Sequence, residues 1–287
     1  MERIPVRVGA HSVTAFSEGA GDDVILVVHG GPGVPSNYVR DAHLCYAEQG
    51  YRVVSWDQLG CGESDRPEDE ALWTVERYVD EMETVRSALD LGRIAVVGNS
   101  WGGMLGLEYC LAHPESVTCF VSSSIAYDFR AVQAGFVRCK QNLGDETVRM
   151  MARRESDGTT DHPEYRAAVT ILLHRHMCRM ETWPEPVQQS LGDIGFGPLR
   201  RMFGPHLFNC TGTLRWYDRV GDLHRVTTPT LIVASEHDYI LPELCAVSYQ
   251  YLPNSEYAFF PACSHMPFWE NPEGYHAAVG AFLEKHR

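Results

Sequence analysis

The chain has 287 residues, 44% of them apolar, enough for one large domain carrying an insertion. Its 24 basic against 38 acidic side chains give a formal net charge of −14, a field that repels phosphate backbones and anionic bilayers, so neither nucleic acid nor a membrane surface is an expected partner. No apolar run approaches the roughly 20 residues of a membrane-spanning helix, and the opening MERIPVRVGAHSV lacks the apolar stretch of an export signal, so a cytoplasmic location is expected.

In chain order, residues 4 to 17 alternate in hydrophobicity and predict an antiparallel hairpin at a sheet edge, closed around Gly9. Four short, β-branched, evenly apolar runs follow: VILVVH (24–29), YRVVSW (51–56), IAVVGN (94–99) and TCFVSSS (118–124). Such runs suit central strands of a parallel sheet, buried on both faces. Between the second and third lies TVERYVDEMETVRSALDLG (74–92), with apolar residues at helical spacing and Gly92 as its stop. Strand and helix alternate, which places the chain in the α/β class. From 126 to 211 the texture turns to helices broken by RRESDGTTDHP and GDIGFGPLRRMFGP, a helical cap inserted into a core made of 1–125 and 212–287. Sheet texture returns in TLIVASEH (230–237) and SEYAFF (255–260), and a last helix is predicted from Pro272 to Lys285. The fold class is therefore α/β, a mostly parallel central sheet flanked by helices, with an inserted helical cap.

Between the third central strand and the next helix stands Gly98-Asn99-Ser100-Trp101-Gly102. A serine flanked by glycines at a strand-to-helix junction matches the turn that forces a hydroxyl out at its tip, so Ser100 is the candidate nucleophile. A serine hydroxyl needs a base, and the base needs an orienting acid. His265, in the loop between the last strand and the last helix, is the candidate base; Asp238, just past TLIVAS, is the candidate acid, ahead of Glu236 and Asp222. The segment HGGPG (29–33) follows a strand and exposes backbone N–H groups, so the N–H of Gly31 and that of Trp101 are the candidate oxyanion donors. Trp101, Tyr127, His174, Trp183, Phe196 and Trp216 are candidate pocket aromatics, Trp216 foremost as a substrate-binding residue.

The nine cysteines are irregularly spaced without a CxxC pair, and the 13 histidines include no HExxH. Reduced thiols, no metal and no cofactor are expected, with Cys61 and Cys263 read as packing residues in spite of their nearness to the candidate site.

Taken together, HGGPG (29–33), WDQLGCGESDRP (56–67), GNSWGGMLGLEYCLAHPESV (98–117), GTLRWYD (212–218), SEHD (235–238) and CSHMPFWENPEGY (263–275) resemble the proline iminopeptidase branch of the α/β-hydrolase superfamily. The resemblance implies the α/β-hydrolase fold, a Ser100, Asp238, His265 triad acting through an acyl-enzyme, an oxyanion site at Gly31 and Trp101, and a small-molecule or short-peptide substrate. The chain departs from that pattern where relatives hold a free α-ammonium with acids: Tyr239 stands immediately after Asp238, and Leu207 occupies the second position. An ammonium buried without a carboxylate is costly. The substrate expected is therefore neutral or N-blocked at these contacts, unless Glu236, Glu243 or Glu270 supplies the missing charge. A true aminopeptidase, an acyl transferase on the same triad, and a binding protein without turnover stay open as alternatives.

Overall fold

The computed structural model describes all of residues 1–287. Eight strands form one sheet: β1 (Glu2–Val8), β2 (His11–Glu18), β3 (Val24–Val28), β4 (Arg52–Asp57), β5 (Ile94–Asn99), β6 (Val117–Ser123), β7 (Thr230–Ser235) and β8 (Ser255–Phe260), in the spatial order β1-β2-β4-β3-β5-β6-β7-β8. The first two pairings, β1 with β2 and β2 with β4, are antiparallel; all others are parallel. The predicted hairpin is this antiparallel edge, and Gly9 turns it with φ +59°.

The evenly apolar runs have a simple cause. Alternate residues of each central strand enter different cores on the two faces of the sheet: Leu26 and Val28 one, Ile25 and Val27 the other. Likewise Ile94 and Val96 face one core while Ala95 and Val97 face the other. With both faces covered, no polar face survives to mark the strand period.

Helices α1 (Asn37–His43), α2 (Val75–Ala88) and α3 (Trp101–Ala112) alternate with β3 to β6. The predicted helix over 74–92 is α2, which starts where the Thr74 hydroxyl accepts the Arg77 N–H at 3.3 Å. Between β6 and β7 lie α4 (Phe129–Gln141), α5 (Asp145–Ser156), α6 (Pro163–His176), α7 (Glu185–Gly192) and the short α8 (Phe196–Pro198), which runs on into a helical turn at Leu199–Phe203. Two stretches expected to break helices are partly helical. The residues ARRES close α5, and FGPLRRMF is wound, because Pro198 sits in its first turn, where it has no N–H to lose. Between β7 and β8 lies α9 (Pro242–Tyr251), and after β8 come α10 (Pro267–Glu270) and α11 (Pro272–Lys285), the last with the bounds expected for the final helix.

The helical insertion is tied to the carboxyl-end loops of the sheet by hydrogen bonds to backbone carbonyls. Gly195 N–H donates to the Gly33 carbonyl at 2.7 Å, and His176 Nδ1 donates to the His237 carbonyl at 2.8 Å. These bonds place the insertion over the edge where the candidate residues emerge.

Candidate active site

β5 leads directly into Ser100, whose backbone sits at φ 57°, ψ −126°, a region rare for residues with a Cβ. Its neighbours explain the two glycines. A Cβ on Gly98 would lie 2.3 Å from the Gly102 carbonyl oxygen, and one on Gly102 would lie 2.1 Å from the Val28 carbonyl oxygen. Strand, turn and helix thus pack too closely for any side chain, and the strain holds Ser100 at the floor of the cavity described below. The Ser100 N–H is anchored on the Ser123 carbonyl of the neighbouring strand at 2.9 Å.

Asp238 and His265 converge from two other loops at the same edge. His265 Nδ1 donates to Asp238 Oδ1 at 2.9 Å, and Ile240 N–H donates to the same oxygen at 2.9 Å. Both side chains are buried. The His265 loop is pinned from both sides. Its carbonyl accepts the Asn99 side-chain amide at 3.2 Å, and Glu270 accepts from Ser264 Oγ at 2.6 Å, from the Ser264 N–H, and from the Arg179 N–H of the insertion at 2.5 Å.

Ser100 and His265 line one cavity but make no hydrogen bond to each other. The Nε2 of His265 is instead engaged at 2.6 Å by the hydroxyl of Tyr239, whose ring stacks on the imidazole with centroids 4.2 Å apart and planes 29° apart. Burial, reinforced by the charge of Asp238, pushes the Tyr239 phenol well above its ordinary pKa. Tyr239 is therefore a protonated donor, and Nε2 is the acceptor.

Gly31 and Trp101 also line the cavity. Trp101 opens α3, so its N–H has no intrahelical acceptor. Gly31, at φ +118°, has the N–H of Gly33 and of Val34 packed beneath it: a Cβ there would lie 2.6 Å and 2.7 Å from their nitrogens. The indole of Trp101 donates to Gln58 Oε1 at 2.8 Å, and Gln58 also donates to the His29 carbonyl at 3.1 Å, which fixes the two candidate donor segments relative to each other.

The cavity measures about 870 Å³, counting space open to solvent, and 18 of its 21 lining residues are hydrophobic. No carboxylate is among them. Leu207 and Tyr239 lie on its wall, with Phe136, Phe203 and Phe208 of the insertion and its flank. Two other substrate-binding expectations are corrected. Glu236 is exposed and turned to the Ala262 N–H at 2.9 Å, because the loop after β7 bends it away from the cavity. Trp216 is 65% exposed on the outer surface, where Arg130 and Arg215 lie over its ring. The other acids named for an ammonium are also occupied elsewhere: Glu243 pairs with Arg138 at 2.7 Å on the surface, and Glu270 holds the His265 loop.

Of the remaining aromatics, Phe196 is exposed, Tyr127 is buried beside Ser122 at 2.6 Å, and His174 packs on Trp183 with centroids 4.7 Å apart. Cys61 and Cys263 are buried and their thiols are pushed up by burial, Cys263 to about 11. No cluster of three or more His, Cys, Asp or Glu side chains is arranged to hold a metal ion, and no helix is long and apolar enough to cross a membrane.

Sequence reasoning missed two residues that build the site. Tyr38 accepts the Gly30 N–H at 2.8 Å and donates to Asn99 Oδ1 at 2.9 Å, joining the HGG segment to the elbow. Glu270, expected only as an ammonium partner, anchors the His265 loop instead, and its place five residues after His265 is the signal for that role.

Sheet order, serine elbow and strand-end loops together define an α/β hydrolase, and the family model for the alpha/beta hydrolase fold matches residues 23–153. Proline iminopeptidase of Heyndrickxia coagulans is 32% identical over 288 residues, covering 98% of this chain and 97% of that one. Proline iminopeptidase of Lactobacillus helveticus (strain DPC 4571) is 31% identical over 267 residues, covering 91% and 90%. Among solved structures, proline iminopeptidase of Mycobacterium smegmatis superposes with a TM-score of 0.91 at 31% identity, covering 99% of this chain and 98% of that one. VinJ superposes at 0.95 with 27% identity, covering 100% and 99%. The chain belongs to the proline iminopeptidase family of α/β hydrolases.

Proposed function

We propose that this enzyme is a serine hydrolase that cleaves an amide or ester through an acyl-enzyme, and that its substrate carries no charged amine next to the reacting carbonyl. Ser100 is the nucleophile, His265 the base and Asp238 the acid that orients it. The N–H groups of Gly31 and Trp101 receive the developing oxyanion. His265 Nδ1–H donates to Asp238, so Nε2 is the atom that accepts a proton as Ser100 attacks. Residues 126–211 act as a cap that closes the cavity from water and supplies most of its apolar wall.

The observation that carries the substrate assignment is the absence of any carboxylate from the cavity wall. A free α-ammonium moved from water into such a wall loses its hydration with no partner in return. An apolar acyl or N-acylated group loses only water that the hydrophobic effect favours releasing. The name proline iminopeptidase carried by the relatives speaks for an aminoacyl group as the acyl part, and the uncharged wall of this cavity favours one whose nitrogen is blocked.

The test combines labelling with a substrate panel. A fluorophosphonate should modify Ser100 in the wild type and leave Ser100→Ala unmodified, and N-acylated aminoacyl anilides or apolar esters should turn over faster than free aminoacyl anilides. Failure of the folded wild type to label at Ser100 would remove the serine-hydrolase assignment; faster turnover of the free amines would remove the substrate assignment alone.

A further inference from the structure

We infer that Tyr239 is a specificity-determining residue: its hydroxyl leaves His265 when substrate enters and donates to a neutral acceptor, an amide carbonyl, on the acyl part. The inference rests on the serine-hydrolase reading with an uncharged substrate and deepens it, by naming what such a substrate has to offer.

The starting point is a competition for one lone pair. His265 Nδ1 donates to Asp238 Oδ1 at 2.9 Å, which leaves Nε2 as the ring atom able to accept. The Tyr239 hydroxyl occupies that atom at 2.6 Å. Ser100 needs the same lone pair when it attacks, so the phenol has to give up its bond before the first step proceeds. The Tyr239 ring borders the cavity, and its hydroxyl can turn into that open space.

The released hydroxyl faces the chamber that substrate fills. Apart from Ser100 and His265, the lining side chains that carry a hydrogen-bond donor are Tyr38, Trp101 and Tyr239. Tyr38 gives its proton to Asn99 Oδ1 at 2.9 Å, and Trp101 gives its indole proton to Gln58 Oε1 at 2.8 Å. Tyr239 is thus the wall donor not committed to the scaffold. Its ring is flanked by Phe136 and Phe208, at centroid distances of 5.6 Å and 5.7 Å, and neither provides an acceptor.

A seated substrate also displaces the water that would otherwise take the proton. A substrate with no acceptor leaves the phenol unpaired, whereas an amide carbonyl replaces the bond given up at Nε2. Discrimination therefore comes from the cost of an orphaned donor, the means by which a site built to bond a polar group rejects an analogue lacking it. Burial beside Asp238 keeps the phenol protonated, so it has no charge with which to balance an ammonium.

The test uses two acyl parts of one shape. One is the nitrophenyl ester of N-acetylalanine; the other is the ester in which an isobutyl group replaces the acetamide. The wild type should favour the acetamide, and Tyr239→Phe should lower the ratio of the two kcat/KM values by about 5- to 100-fold. Differences in hydrophobicity between the esters are common to both enzymes and cancel. An alkyl fluorophosphonate, whose chain presents no acceptor, should label Ser100 about 2- to 10-fold faster in Tyr239→Phe, because no bond at Nε2 has to be broken. An unchanged ratio, or slower labelling of the folded variant, would overturn the inference and leave the serine assignment standing. No labelling of folded wild-type enzyme at Ser100 would remove the inference together with the reading on which it rests.

Discussion

Leu207→Glu tests the link between an uncharged wall and an uncharged substrate. Leu207 is a half-buried side chain facing the cavity that holds Ser100 and His265, so a carboxylate there stands within the same chamber. A hydrogen bond to a charged group in such a setting is worth about 1.5–3 kcal/mol. That energy corresponds to a gain of about 10- to 150-fold in kcat/KM for a substrate with a free α-ammonium, relative to its N-acetylated twin. The new carboxylate loses part of its own hydration, which raises its pKa and reduces the gain at low pH. The assay is kcat/KM for paired aminoacyl and N-acetylaminoacyl anilides at pH 7 with wild type, Leu207→Glu and the neutral isostere Leu207→Gln. A shift toward free amines in the glutamate variant alone is expected. An unchanged ratio, or the same shift with glutamine, would refute the reasoning, since polarity without charge would then account for the preference.

Two further outcomes follow from polar groups held by internal hydrogen bonds. Glu270→Gln removes the charge from three hydrogen bonds to Ser264 and Arg179 and should destabilise the fold by about 1–3 kcal/mol, read from urea unfolding, with a lower kcat as the His265 loop loosens. His43 is fully buried, donates from Nδ1 to the Val39 carbonyl at 2.6 Å and accepts the Tyr275 hydroxyl on Nε2 at 3.0 Å; burial lowers its pKa to about 3. The unfolded chain takes up this proton near pH 6.5 and the folded one only near 3, so stability is full above 6.5 and falls as the pH drops through that window. At about 1.4 kcal/mol per pH unit the loss is of order 5 kcal/mol. His43→Gln should flatten this part of the acid profile measured by denaturant titration, and an undiminished slope in that variant would refute the assignment.

Much of this protein could be read from one dimension because the relevant causes are local. Strand period, helix spacing and the stops at Gly9 and Gly92 depend on neighbours in the chain, and the observed strands begin and end within a residue or two of the apolar runs. The elbow was legible for the same reason. Gly98 and Gly102 are required by contacts within a single strand–turn–helix unit and the adjoining end of β3. The absence of acids at 207 and 239 was likewise visible, since it is a matter of which residue stands at a position.

The tertiary structure decided where each side chain points. Nothing in SEHDY distinguishes Glu236, which turns to the Ala262 N–H, from Tyr239, whose hydroxyl reaches the imidazole from a loop 26 residues away. Trp216 looked like a pocket aromatic, yet it lies outside under two arginines, because burial depends on which surfaces the insertion covers. A side chain's rotamer and partners are chosen by atoms brought together from remote segments, and those atoms have no address in the local pattern.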